Sequence, residues 1–302
     1  MSTVTPSTAE FDAFGPWIDE VRTAEDVPPL YRAHHIDFET ARMVLKFPRD
    51  ISRRDATPQM DLYDHLLIAE TDRLTVLSRT ATRYSQTSVD YGDIAVMTEW
   101  ANLLDAELRI DTVLGETVVV AFNGTSRDRI VELVDLLRGL GLVTRAAKET
   151  RLPPIAGALE LDDLGKKDSL FVTSFRDRQR REPGIALLAA HGRVTVTRRG
   201  GFLSRIADLV FPVTLHGALV CASPTELQIL SRRHWLVRGG TPELSSARTV
   251  LPLDLLHSVR SEEHPRYAGA STVTLRVGGA MLAVVMPTGS PAEKTLRALG
   301  SR

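Results

Sequence analysis

The stretch "TDRLTVLSR" at residues 71–79 has a counterpart in "TELQILSR" at residues 225–232, and whether the likeness is chance or duplication decides how the chain is divided. Each reads as a strand rich in Leu, Val and Ile that ends in Ser-Arg. Two further agreements follow in the same order. "YGDIAVM" (91–97) matches "PLDLLHSV" (252–259) through Asp93 and Asp254, each leading into an aliphatic strand. A hairpin and an amphipathic helix then end each half. In the first half these are "AELRIDTV", "LGE", "TVVVAF" and "NGTSRDRIVELVDLLRGLG"; in the second, "STVTLRV", "GG", "AMLAVVM" and "PTGSPAEKTLRALG". One match among common residues means little, whereas ordered agreement closing on a helix points to duplication of a whole domain.

Local chemistry supports these element ends. Thr125 with Asp128 fits a capping box, Ile130, Val134, Leu137 and Leu140 make one apolar face, and Gly139 and Gly141 read as the helix stop. In the second half the "GG" pair suits a two-residue hairpin turn. Ser290, Pro291 and Glu293 supply an N-cap, a first-turn proline and the third-position carboxylate.

A length of 302 residues suits two cores of about 150 residues each. With 43% hydrophobic and 25% charged residues, the chain falls outside the disordered and membrane-spanning classes. The formal net charge of -1 provides no global field for nucleic acid, which is not an expected partner. Cys221 is the sole cysteine, so no internal disulfide is open to it. Its neighbours Leu219, Val220 and Ala222 suggest a buried thiol and a cytoplasmic setting. The first residues lack the basic start and apolar run of a secretion signal and read as a polar tail. "FLSRIADLVFPVTLHGALVCAS" carries Arg205, Asp208, Pro212 and His216, and reads as core strand and loop rather than a bilayer span.

The expected organisation is a tail and helical segment at 1–40, a first domain at 41–145, a linker and lead-in at 146–184, and a second domain at 185–302. The helical segment rests on Phe11, Phe14, Trp17, Ile18 and Val21 at helical spacing, interrupted by Pro16, Pro28 and Pro29. The linker begins near Pro153 and Pro154, and "RDRQRREPG" (176–184) reads as a charged loop or helix end.

Strands closed by a hairpin and a final amphipathic helix, carried by "DRLTVLSR", "GDIAVM", "TVVVAFNGTSRDRIVELVDLLRGLG" and their counterparts, resemble the pleckstrin-homology-like (PH-like) fold. The two-copy arrangement resembles bacterial tandem PH-like proteins. The resemblance implies an α+β protein with two duplicated PH-like barrels or bent sheets, each closed by its C-terminal helix, plus the N-terminal helical segment. It implies a non-catalytic binding or scaffold protein, with a protein partner or self-association, and no cofactor. It carries over no ligand residue.

The candidate binding residues are arginine-rich runs. "KFPRDISRR" contributes Lys46, Arg49, Arg53 and Arg54; "TRRGGFLSR" contributes Arg198, Arg199 and Arg205; Arg176, Arg178, Arg180 and Arg181 form a third run. Guanidinium groups pair with phosphates and carboxylates, so such runs suit anionic lipid headgroups, with Trp17 beside Phe11 and Phe14 as a docking stripe at the membrane surface. Asp50, Asp55, Asp177 and Glu182 among them provide the competing reading, internal ion pairs.

An enzyme is the remaining alternative. His34, His35, Asp37 and Glu39 form one His/carboxylate group, and His257, Glu262, Glu263 and His264 another. The first is also a common surface turn and the second a solvated loop. The chain lacks a G-x-S-x-G elbow, a phosphate loop and a dinucleotide fingerprint, so no catalytic or metal-binding residue is assigned.

Overall fold

The computed structural model describes residues 9–200, 212–239 and 243–300. They divide into two units. Unit 1 runs to Ile94 and adds Leu103–Leu108 and Val118–Arg145; unit 2 comprises Ala95–Asn102, Arg109–Thr117 and the chain from Ala146 onward.

Unit 1 is built on an antiparallel sheet whose strands lie in chain order: β1 (Asp19–Glu20), β2 (Met43–Pro48), β3 (Tyr63–Ala69), β4 (Arg73–Arg79) and β5 (Tyr84–Asp90). Leu66 opposes Leu77 and Ile68 opposes Thr75, which sets the apolar residues of β3 and β4 into the core. The edge strand β5 shows Ser85, Gln86, Thr87 and Ser88 to solvent. Polar side chains of this kind discourage pairing with another chain.

The expected N-terminal helix is confined to α1 (Ala9–Ala13), because Pro16, Pro28 and Pro29 break its continuation into short turns. Its apolar residues nonetheless fold inward. Phe14, Val21, Val27 and Tyr31 pack with Leu62, Tyr63, Leu66 and Leu77, each contributing up to about 1.5–3 kcal/mol of burial.

Strands β6 (Ile94–Asn102), β7 (Asp105–Thr112) and β8 (Thr117–Asn123) are cut by the division into units. In unit 1 they lead to α2 (Arg127–Thr144), whose buried face is Ile130, Leu133, Val134 and Leu137. The Thr125–Asp128 capping box does not form, since the Asn123 side chain instead accepts the Thr125 N–H at 3.1 Å in a preceding turn. The helix also runs through both glycines. Gly141 serves a close approach: a Cβ there would lie 3.0 Å from the Tyr91 carbonyl oxygen.

From Ala146 onward the first helix of unit 2 is α3 (Ser169–Arg181), within the stretch expected to be linker and lead-in. Then come β9 (Ala186–His191), β10 (Val194–Arg198), β11 (Val213–Leu215), β12 (Ala218–Ala222), β13 (Glu226–Ser231), β14 (Leu236–Arg238) and β15 (Ser246–Pro252). Strands β6, β15, β13, β12 and β9 lie side by side in that order. Every residue of β12 and β13 is buried because both faces of the sheet are covered. Leu219, Cys221 and Leu230 meet Phe171, Val172 and Phe175 of α3, while Val220, Ala222, Leu227 and Ile229 face the opposite core.

The chain ends with β16 (Leu256–Glu263), β17 (Tyr267–Ala268), β18 (Ala270–Val277), β19 (Ala280–Pro287) and α4 (Pro291–Leu299). Val277 pairs with Ala280 across Gly278 and Gly279, and Gly278 takes a positive φ of 57°. Ser290 Oγ accepts the Glu293 N–H at 3.2 Å, and the Glu293 carboxylate reaches back to the Gly289 N–H at 2.5 Å. The cap expected at this helix therefore forms, with its return bond one residue earlier. Leu296 and Leu299 seal the helix onto Val273, Leu275 and Met286.

The α+β barrel expectation is corrected. Strands make up 41% of the chain against 21% for helix, and the antiparallel sheets of five, four, seven and three strands are all open. Pairing between the two halves of the sequence gives a reason. Within unit 2, β6 pairs with β15, Trp100 opposite Ala247 and Thr98 opposite Thr249, the two threonine hydroxyls 3.0 Å apart. A strand edge used in this way is not available to close a barrel. The element order still recurs: a short 3₁₀ turn, Tyr91–Asp93 or Leu253–Leu255, then a strand, a hairpin and a helix.

Candidate functional site

The sheet order of unit 2 decides which loops meet. Ala218 pairs with His191 and Leu219 with Leu230, so the end of β9, the start of β12 and the end of β13 lie at one edge of the sheet. The residues just beyond these ends are Arg193, His216 with Gly217, and Arg232. The turn before α3 adds Lys167 and Asp168.

Asp168 organises the group. Its carboxylate is fully buried; it accepts two bonds from Arg193, Nε at 2.8 Å and Nη2 at 3.0 Å, and two from Arg232, Nη2 at 3.0 Å and Nε at 3.3 Å. The Gly217 N–H donates to it at 3.3 Å. This approach requires glycine, since a Cβ at position 217 would lie 2.9 Å from Asp168 Oδ2 and 3.0 Å from the His191 carbonyl oxygen. Arg232 is held further by the carbonyls of Ser245 at 2.6 Å and Lys167 at 2.7 Å, and lies over the Phe171 ring. Burial alone would raise the Asp168 pKa, but the hydrogen bonds and charges of Arg193 and Arg232 outweigh it and hold the carboxyl below its usual range.

Beside this cluster is a cavity of about 440 Å³, lined by Lys167, Arg193, Arg232, His216 and Glu243, with Pro212, Val237 and Leu244 as apolar wall. His216 is 2% exposed, and among the described residues neither ring nitrogen has a hydrogen-bond partner. Burial pushes its pKa down, Arg193 and Arg232 push the same way, and Asp168 and Glu243 oppose, so the imidazole is neutral at pH 7. Glu243 accepts the Ser245 N–H at 3.1 Å; burial tends to raise its pKa, and the hydrogen bonds from Ser245 prevail and keep it ionised. Three cations against the Asp168 and Glu243 carboxylates leave the site with one positive charge in excess.

The residues singled out from sequence lie elsewhere. Lys46 sits over the Tyr63 ring at 5.1 Å, and Arg49 faces Asp64 at 3.8 Å and donates to the Asp61 carbonyl at 3.1 Å. Arg53 donates to the carbonyls of Phe11 and Phe14 and covers the Phe11 ring, while Arg54 is exposed. Arg199 pairs with Glu263 at 2.5 Å, Arg198 ends β10, and Arg205 lies outside the described residues. Of the aromatic stripe, Phe14 is core, Phe11 packs against it, and Trp17 remains 58% exposed.

The histidine clusters also resolve. Asp37 closes a turn by accepting from the Glu39 N–H and the Thr40 hydroxyl, and the segment read as a charged loop at 257–263 is part of β16. Among the described residues no three His, Cys, Asp or Glu side chains gather as a metal site, and no helix is long and apolar enough to cross a membrane.

Sequence reasoning passed over Asp168 and Arg193, noted His216 only as an interruption of an apolar stretch, and quoted Arg232 only as the end of a strand motif. The available signal was a His-Gly pair interrupting an apolar run at 213–222. Compared with protein-family models, curated proteins and solved structures, the chain finds no match.

Proposed function

We propose that this is a non-catalytic binding protein whose unit 2 holds an anionic group of its ligand in the cavity beside Arg193 and His216. The single observation that carries the reading is the buried, unpartnered imidazole of His216 in a wall of cations. A neutral imidazole presents one N–H donor and one lone pair. Leaving such a buried group unmatched costs about 1–3 kcal/mol, which an acceptor placed against it removes. Arg193 adds reach: two of its N–H groups are directed to Asp168, leaving the other donors of a guanidinium whose side chain is 24% exposed. A cavity of about 440 Å³ suits a small molecule better than the protein partner expected from sequence. The proposal sets the protein in the cytoplasm, where the lone buried thiol of Cys221 stays reduced.

The test is an NMR titration that follows the imidazole nitrogens of His216 as isovalerate and inorganic phosphate are added at constant ionic strength. Saturable shifts at His216, weakened in Lys167→Ala at the exposed rim, are expected. If neither anion moves the His216 signals, the reading is wrong.

A further inference from the structure

The cavity is not lined by cations alone. Glu243 lies on the same wall as Lys167, Arg193, Arg232 and His216, yet forms no ion pair with any of them among the described residues; its hydrogen-bond partner is Ser245. An ionised carboxylate facing a cationic wall repels a second anion, and a site for a simple anion is stronger without it. Two opposite charges kept apart by a cavity instead match a ligand that carries both charges on one short frame. Half-buried, Glu243 is held by its hydrogen bond in a form able to accept from an ammonium group. Pro212, Val237 and Leu244 supply the apolar surface that a hydrocarbon side chain would cover.

From this we infer that the ligand class is a small zwitterion, an aminocarboxylate with an apolar side chain. Its carboxylate lies against Arg193 and the His216 N–H, and its ammonium faces Glu243. Neutral His216 donates to the carboxylate without adding charge, so the fixed charges of the site are those of the arginines, Lys167 and the two acids. The inference rests on the anion-binding reading above and sharpens its ligand.

Calorimetric titration at pH 7 tests it with matched pairs that differ only in the ammonium group: leucine against isovalerate, phenylalanine against 3-phenylpropionate, alanine against propionate. At least one amino acid is expected to bind about tenfold or more tighter than its deaminated partner, the gain of one charge-assisted hydrogen bond. Glu243→Gln keeps an acceptor for the Ser245 N–H. It is expected to erase that preference, weakening the amino acid about tenfold while leaving the plain carboxylate unchanged or tighter. If amino acids and their deaminated partners bind equally, or Glu243→Gln weakens both alike, the zwitterion inference fails and anion binding stands. If neither amino acids nor carboxylates bind, both fail together.

Discussion

Arg79 and Arg232 occupy the same place in the two matched stretches, each following Leu-Ser at the end of a strand. Their surroundings are opposite. In unit 1, Arg79 reaches Asp64 at 2.7 Å, with 24% of its own side chain and 36% of the carboxylate open to water. In unit 2, Arg232 is 4% exposed and binds a carboxylate with no exposure, shared with Arg193. An ion pair in water is weak because solvent already satisfies both charges. The same pair out of water fixes the direction of its donors, and His216 beside it is left unmatched among the described residues, which is the feature the proposed anion site rests on. The motif is common to both units, and the burial around it separates an ordinary surface contact from a site.

The comparison is tested most severely by removing each carboxylate. Asp168→Ala leaves two arginines, one of them deeply buried, without their counter-charge, and should cost about 3–5 kcal/mol in urea unfolding. Asp64→Ala should cost less than about 1 kcal/mol. Equal losses would abolish the contrast. Glycine substitutions come next. Gly217→Ala drives a methyl group against Asp168 and should cost about 1–3 kcal/mol, whereas Gly139→Ala, with open space around the added carbon inside α2, should stabilise by about 0.5–1 kcal/mol. Thermal denaturation of the two variants reads both signs at once.

The smallest effect is on pH dependence. Burial holds the pKa of His216 and His191 below that of a free imidazole. As pH falls below about 6.5, the unfolded chain takes up these protons before the folded one, so stability declines towards acid and levels off above that value. Each histidine contributes at most about 1.4 kcal/mol per pH unit. His65 of unit 1 shifts in the same direction, although Ser78 partners its ring. His216→Asn should flatten the slope of unfolding free energy against pH; a slope unchanged in this variant would remove His216 from the account. A bound carboxylate should reverse the local preference and favour the protonated ring, so isovalerate should bind more tightly at pH 6 than at pH 7.

Features decided by neighbours in sequence were legible. The two-glycine hairpin and the Ser290 cap depend on contacts within a few residues, and the pattern shows them directly. The capping box at Thr125 failed because Asn123, two residues upstream, competed for the same backbone N–H. Of helix α3 only the charged end was legible, as one of two readings, loop or helix end, because its apolar face is only Phe171, Val172 and Phe175. The barrel failed on a long-range choice, the pairing of β6 with β15, which no local alternation reveals. The site was the least legible. Asp168 lies 25 residues from Arg193 and 64 from Arg232, and adjoining strand ends bring the three together. Clusters of arginine in sequence drew attention instead, although the arginines of such runs find counter-charges and acceptors on distant segments, as Arg49 with Asp64, Arg53 with the Phe14 carbonyl and Arg199 with Glu263 show.

Cys221 is the next-to-last residue of β12, fully buried, its Sγ 3.5 Å from the Gln228 carbonyl oxygen in a sheet covered on both faces. A thiol reagent reaches it only when that sheet parts, and no second cysteine competes for the label. Unit 2 thus carries its own clock. The rate at which the thiol is modified counts the openings of the strands that end at Arg193, His216 and Arg232, and a ligand that stills them would slow the count.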